Sequence, residues 1–242
     1  MKIAIIGYGR MGHVVEEVAL ERGHSIVCTI DNHNTDMLES EAFRSADVAI
    51  EFSQPKVALS NILASFTAGV PVVCGTTGWL ESMPSVRQMC DKGLGTLLWS
   101  SNFSIGVNVF KAVNRYMAHL LNRFPQYSCG MEEVHHIHKL DHPSGTAITL
   151  AETIVGEVER LDGWQEPDSG GAVATGQLPI GHRREGEVPG IHTVIWDSEA
   201  DTLTFTHSAK SRRGFALGAV LAAEWLKDRK PGLYTIDDML GF

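Results

Sequence analysis

The sequence predicts an α/β protein: a doubly wound parallel sheet interrupted by an inserted α+β segment. Three features predict it. The first hundred residues alternate short, nearly unbroken apolar runs with segments of helical composition, as strands covered on both faces require. The first run ends in a glycine-rich turn, GYGRMG (7–12). The rhythm changes after Phe103, and an apolar helix near the C-terminus restores the earlier pattern.

The expected strands of the sheet are KIAIIG (2–7), SIVCTID (25–31), DVAIEF (47–52), PVVCG (71–75) and TLLWSS (96–101). Helices are expected between them over 10–22, 56–67 and 81–92. A strand–helix–strand order implies parallel pairing through right-handed crossovers. Beyond Phe103, residues 107–121 read as an amphipathic helix and 127–138 as a strand. A further helix should begin near Ser144, because Ala147, Leu150, Ala151, Ile154, Val155 and Val158 form one apolar stripe at three- and four-residue steps. Pro143 suits a helix start. Residues 165–190 are rich in Gly and Pro and read as loops with short strands. Two strands are expected over 191–209, around a turn at 197–201, then a helix over 215–227 and a short tail. The expected domains are 1–103 with 215–242, and the insertion 104–214.

The chain has 242 residues and a formal net charge of −9, which argues against a nucleic-acid backbone as partner. A small anion is still allowed, because distant charges are screened over roughly 8 Å. Cys28, Cys74, Cys90 and Cys129 form no CxxC pair, and Cys28 and Cys74 lie in strand-like runs, as buried free thiols do. The N-terminal residues carry no signal-peptide pattern, and no apolar run is long enough for a bilayer, so a cytoplasmic protein without membrane contact is expected.

GYGRMG fits the GxGxxG dinucleotide fingerprint, and its place between first strand and first helix gives the match its weight. Gly7 permits the tight turn, Gly9 lets the backbone approach a pyrophosphate, and Gly12 allows close helix–strand packing. The helix start then offers unpaired N–H groups to the phosphates. This is a Rossmann-type pattern, with 1–103 and 215–242 as its dinucleotide-binding domain. Asp31 ends the second strand, where a carboxylate accepts hydrogen bonds from the adenine ribose and repels a 2′-phosphate. NADH is therefore favoured; NADPH is the alternative, with His33 or Arg44 left to accommodate its phosphate. GTTGW (75–79) and SSNFSIGVN (100–108) follow the fourth and fifth strands, at the sheet edge where such folds bind ligands. Both also suit plain turns.

EEVHHIHKLDHPSGTA (132–147) gathers four histidines, a lysine and several acids. Alternation along a strand would put His136 and His138 on one side, His135 and Ile137 on the other. Neither HExxH nor a cysteine ligand set is present, so no metal is expected. An anion site fits better. The amides at Ser144, Gly145 and Thr146 are unpaired by helix geometry, Thr146 adds a hydroxyl, Lys139 a positive charge, and His135 and His136 titrate near neutrality. The pattern reads as a carboxylate clamp with a proton donor.

The same stretch resembles the signature of the dihydrodipicolinate reductase family, His-His-x-His-Lys-x-Asp-x-Pro-Ser-Gly-Thr-Ala. GYGRMG, GTTGW, NFSIGVN and SRRGFALGA (211–219) are similar to other segments of that family, in order, so the resemblance covers nearly the whole chain. It implies a two-domain enzyme of lysine and diaminopimelate biosynthesis that reduces a cyclic unsaturated dicarboxylate with NADH or NADPH. It implies catalytic roles for His135, as proton donor, and Lys139, and substrate contacts from His136, Ser144, Gly145 and Thr146. Cofactor contacts are implied for Gly7, Tyr8, Gly9, Arg10, Met11 and Gly12, for Asp31, for Gly75, Thr76 and Thr77, and for Ser100, Ser101, Asn102 and Phe103. It further implies that 104–214 binds substrate and builds a homotetramer. The glycine loop is one residue shorter than the family's frequent GxxGxMG form, and 31–47 is compact. Two other readings compete: a related dehydrogenase acting on an aldehyde through a cysteine nucleophile, and a redox sensor that binds NADH without turnover.

Overall fold

The computed structural model describes residues 1–167 and 173–242. Residues 168–172, part of the expected loop region 165–190, lie outside the described residues. The chain divides into two compact units, Met1–Asn108 with Arg212–Phe242, and Val109–Ser211.

The first unit begins β1 (Lys2–Ile6), α1 (Arg10–Glu21), β2 (Ser25–Ile30), α2 (Glu41–Arg44), β3 (Val48–Glu51) and α3 (Pro55–Thr67). It continues with β4 (Val72–Cys74), α4 (Met83–Asp91) and β5 (Thr96–Trp99). α5 (Ile105–Leu121) crosses the division, and the second unit carries β6 (Ser128–His135), α6 (Gly145–Glu157), β7 (Gly163–Gln165), β8 (Gln177–Arg184), β9 (Ile191–Asp197) and β10 (Thr202–Ser208). The first unit resumes with α7 (Arg213–Leu226), β11 (Gly232–Thr235) and α8 (Ile236–Leu240).

Six strands form the first sheet in the order β11-β5-β4-β3-β1-β2, all parallel. The continuous apolar runs have the expected cause: Val48, Ala49, Ile50, Val72 and Val73 are wholly enclosed, on a sheet packed with helices. Burying one such side chain contributes about 1.5–3 kcal/mol. Ile3, Ile5, Val15, Ala219, Val220 and Ala223 share one core cluster, which brings α1 and α7 together on the sheet. The supposed tail is a correction. Residues 232–235 add a sixth strand beside β5, and α8 follows with a capping box between Thr235 and Asp238. A four-residue edge strand leaves no periodicity to read.

The second unit is a five-stranded mixed sheet, β10-β9-β6-β8-β7, with α6 and part of α5 packed on it around Trp196, Leu150, Ile154 and Ile180. β8 pairs parallel with both β6 and β7, while β9 runs antiparallel to β6 and β10. Its length was hidden by Pro179 and Gly181, although Leu178 and Ile180 are fully buried. Among the described residues no helix is long and apolar enough to cross a membrane.

Candidate active site

In the first unit, the turn between β1 and α1 is shaped by Gly7 at φ +91°, where a Cβ would lie 2.1 Å from the Phe52 carbonyl oxygen. Gly12 packs as closely: its Cβ would meet the Gly7 carbonyl oxygen at 2.4 Å. Gly9 differs. A Cβ there would meet nothing within 4 Å, and Gly9 caps α1 with no side-chain hydrogen bond. Open space over an uncapped helix start is what a dinucleotide pyrophosphate requires. Arg10 is exposed beside it, Met11 packs on the core, and Tyr8 is hydrogen-bonded to Glu16.

Asp31 follows β2 and is held in a tight local turn. Its amide donates to Asn34 Oδ1 at 2.7 Å, and its Oδ1 accepts from the His33 amide at 2.7 Å. His33 and Arg44 are exposed. Thr76 is buried: its hydroxyl accepts from the Ser53 amide, and its carbonyl accepts from the indoles of Trp79 and Trp99. That leaves the exposed Thr77 as the freer side chain of the Gly75–Thr77 loop. Ser100 and Asn102 likewise hydrogen-bond each other, Ser101 is exposed, and the Phe103 ring sits in the core at 5.9 Å from Phe52. Only the backbone of Phe103 is left to meet a ligand.

In the second unit the histidine stretch does not continue as a strand. β6 ends at His135, and the chain turns, with the Lys139 amide donating to the His136 carbonyl at 3.1 Å. The alternation expected for His136, Ile137 and His138 is therefore overturned, since pleat geometry stops where the ladder stops. Glu133 and His135 still share a face of β6. The fully buried Glu133 accepts from the Ser144 amide at 3.1 Å and from Arg184 Nη2 at 3.2 Å. His135 Nδ1 lies 3.5 Å from Glu133 Oε2, and His192 Nε2 lies 3.1 Å from the Ser144 hydroxyl. Ser144 also caps α6 by accepting from the Ala147 amide, so the amides of Gly145 and Thr146 have no acceptor among the described residues. Lys139 is not a free cation, because Asp141 pairs with it at 2.7 Å. Arg184 binds the carbonyls of Lys139 and Asp141 at 3.1 and 2.7 Å and thereby shapes that loop. His136 is half-buried, its Nδ1 without a hydrogen-bond partner.

Burial works against the Glu133 charge, yet Ser144 and the two imidazoles together hold its carboxyl below the usual range. Burial pushes His135 below the ordinary imidazole value against the pull of Glu133, with Lys139 and Arg184 adding to the depression. Burial, with His135 next, pushes His192 down to about 4. The unfolded chain takes up a proton on His192 near pH 6.5, the folded chain only near 4. Its contribution to stability is thus complete above about 6.5 and is lost as the pH falls toward 4. The loss should be on the order of 3 kcal/mol. Denaturant titrations across that window should give a flatter pH dependence for His192→Gln than for the unsubstituted chain; equal slopes would rule the assignment out.

Arg184 and His192 were not foreseen. Both reach the cluster by strand register, His135 opposite Arg184 and Glu133 opposite His192, and no local motif marks them. The Arg184 guanidinium at the Glu133 carboxylate, 3.2 Å away, opposes a role for that acid as a metal ligand. Cys129 is pushed up to about 12 by burial, which leaves no thiolate for acylating aldehyde chemistry.

An all-parallel sheet opening on an uncapped glycine turn, joined in one chain to a second unit with imidazoles beside the Ser144-capped start of α6, defines a pyridine-nucleotide-dependent oxidoreductase of Rossmann type. Its family follows from the sequence matches. Residues 1–103 match the family model described as dihydrodipicolinate reductase, N-terminus, and residues 106–240 the one described as dihydrodipicolinate reductase, C-terminus. The chain belongs to the dihydrodipicolinate reductase family. It is 47% identical to the 4-hydroxy-tetrahydrodipicolinate reductase of Christiangramia forsetii over 99% of this chain and 98% of that one. The namesake enzyme of Akkermansia muciniphila is 36% identical over 96% of this chain and 94% of its own. A dipicolinate-bound dihydrodipicolinate reductase from Paenisporosarcina sp. TG-14 shares the fold, with a TM-score of 0.76 at 22% identity and 97% of each chain covered.

Proposed function

We propose that the chain reduces 4-hydroxy-tetrahydrodipicolinate to tetrahydrodipicolinate in lysine and diaminopimelate biosynthesis, acting in the cytoplasm. The observation that carries this reading is the start of α6, where the free amides of Gly145 and Thr146 stand next to a buried cluster of imidazoles. A dicarboxylate is the ligand that such a combination favours.

The first unit holds the dinucleotide through Gly7, Tyr8, Gly9, Arg10, Met11 and Gly12, with Asp31 on the adenine ribose. Gly75, Thr76 and Thr77, with Ser100, Ser101, Asn102 and the Phe103 backbone, position the nicotinamide end. The C4 hydroxyl leaves as water with a hydrogen of the adjacent carbon, which gives the conjugated ring; reduced nicotinamide, held by these residues, would supply the hydride that C4 of that ring then takes up. In the second unit His136, Gly145 and Thr146 hold the carboxylates. Ser144, expected to join them, instead shapes the turn, because its amide is bound to Glu133 and its hydroxyl caps α6. Lys139 adds its charge once Asp141 yields it. His135 delivers the proton to the neighbouring carbon, directly or through water, which completes the saturation of the double bond. An arriving dianion raises the depressed His135 pKa and so readies the donor. A homotetramer is assembled through the second unit's sheet.

NADH is the preferred cofactor. Asp31→Ser should move the ratio of kcat/KM values toward NADPH by tenfold or more, about 1.4 kcal/mol; an unchanged ratio removes Asp31 from cofactor choice. The reading as a whole is tested by following reduced-nicotinamide absorbance with the cyclic dicarboxylate and each cofactor in turn. Substrate-dependent oxidation is expected, and a chain that binds NADH without oxidising it would be a sensor.

A further inference from the structure

We propose that His142, Glu166 and His182 form a second ligand site on the Val109–Ser211 unit, one that takes a divalent transition-metal ion such as Zn2+. The three residues come from separate stretches. His142 precedes α6, Glu166 directly follows β7, and His182 lies on β8. Their donor atoms nevertheless converge. Glu166 Oε1 is 3.0 Å from His142 Nδ1 and 2.9 Å from His182 Nδ1, and all three ligand atoms lie within 4.8 Å of one another. The two imidazoles stack with centroids 4.2 Å apart and planes 16° from parallel.

Both imidazoles aim their Nδ1 at one carboxylate oxygen, and two imidazoles with one carboxylate are a suitable donor set for zinc, nickel, copper or cobalt. With bonds of about 2.0–2.2 Å, tetrahedral ligands stand roughly 3.3–3.6 Å apart, so each imidazole nitrogen needs to move away from the Glu166 oxygen only by roughly half an ångström. The side chains are 49%, 26% and 35% exposed in chain order, which leaves the remaining coordination positions to water.

The contrast with Glu133, His135 and His192 supports the choice. Those three also converge, but Arg184 already places a positive charge on the carboxylate at 3.2 Å. Among the described residues Glu166 has no lysine or arginine partner, and the proposed reaction uses none of the three. The inference therefore does not rest on that reaction. A bound ion would fasten the residue two before Ser144 to the β7–β8 edge and so steady the start of α6.

The test is calorimetric titration of Zn2+ into untagged, chelator-treated protein, with Co2+ visible absorption as a report on ligand type. One ion per chain is expected at micromolar affinity, without a thiolate charge-transfer band and with a raised Tm at saturation. Glu166→Gln and His182→Ala should each weaken binding at least as much as the roughly 10–100-fold that loss of an outer-shell partner costs. If either variant loses its circular dichroism signature, His142→Asn, at an exposed position, carries the same expectation. Absence of binding, thiolate ligation, or affinity unchanged in these variants overturns the proposal.

Discussion

Exchange of His135 for asparagine is expected to lower turnover by about 10²–10⁴-fold, the contribution of a positioned proton donor, while NADH affinity stays within a factor of two or so. The asymmetry follows from location. His135 belongs to β6 and the second unit, whereas the residues assigned to the dinucleotide belong to the first. Its ring is nine-tenths buried, next to Glu133, and burial is the main cause that lowers its pKa. A group so placed contributes to the chemical step rather than to cofactor capture. The shape of the pH profile adds a second readout. A donor whose pKa lies below the ordinary imidazole value should make kcat/KM fall as the pH rises through neutrality, and the asparagine variant should lose that limb. Equal loss of turnover and NADH binding, or a retained limb, would contradict the role.

The glycine turn gives the second large effect, read from two substitutions that should behave differently. Gly7→Ala asks an L-residue to sit at φ +91° with its Cβ 2.1 Å from the Phe52 carbonyl oxygen, which is backbone and cannot step aside. A destabilisation of at least about 3 kcal/mol is expected, from left-handed strain and collision together. Gly9→Ala places its Cβ in open space, so stability should change by less than about 1 kcal/mol. The added methyl instead occupies the approach of the pyrophosphate to the backbone, and NADH affinity should fall by tenfold or more. Thermal melts paired with NADH fluorescence titrations separate the two outcomes. A Gly9→Ala chain with intact stability and intact NADH affinity would remove the turn from the cofactor site.

Much of the first sheet could be read because its signal is local. Residues 48–50 and Val72–Cys74 are apolar on both faces, so composition alone identifies them. The start of α6 near Ser144 was legible for the same reason: an apolar stripe at three- and four-residue steps is a short-range pattern, and the helix does begin at Gly145. β8 and β11 were not legible. The first carries Pro179 between its buried leucine and isoleucine and Gly181 directly after them, and the second is held by a partner strand more than a hundred residues earlier. The candidate site divides in the same way. Its histidines and helix start stand together in the sequence, but Arg184 and His192 enter through pairing register. The end of β6 at His135 also depends on the ladder, which is why His136 and His138 were given faces they do not have. Lys139 shows a further limit, because residue type supplied its charge while only side-chain geometry placed Asp141 on it.

The account depends most on hydride delivery to a ring held by the start of α6. It is tested most directly by nuclear magnetic resonance of the product formed from NADH deuterated at the transferable position. A single deuterium at ring C4, with solvent hydrogen at the adjacent carbon, is the predicted result. Product without deuterium, or NADH consumed with no label reaching the ring, would contradict it.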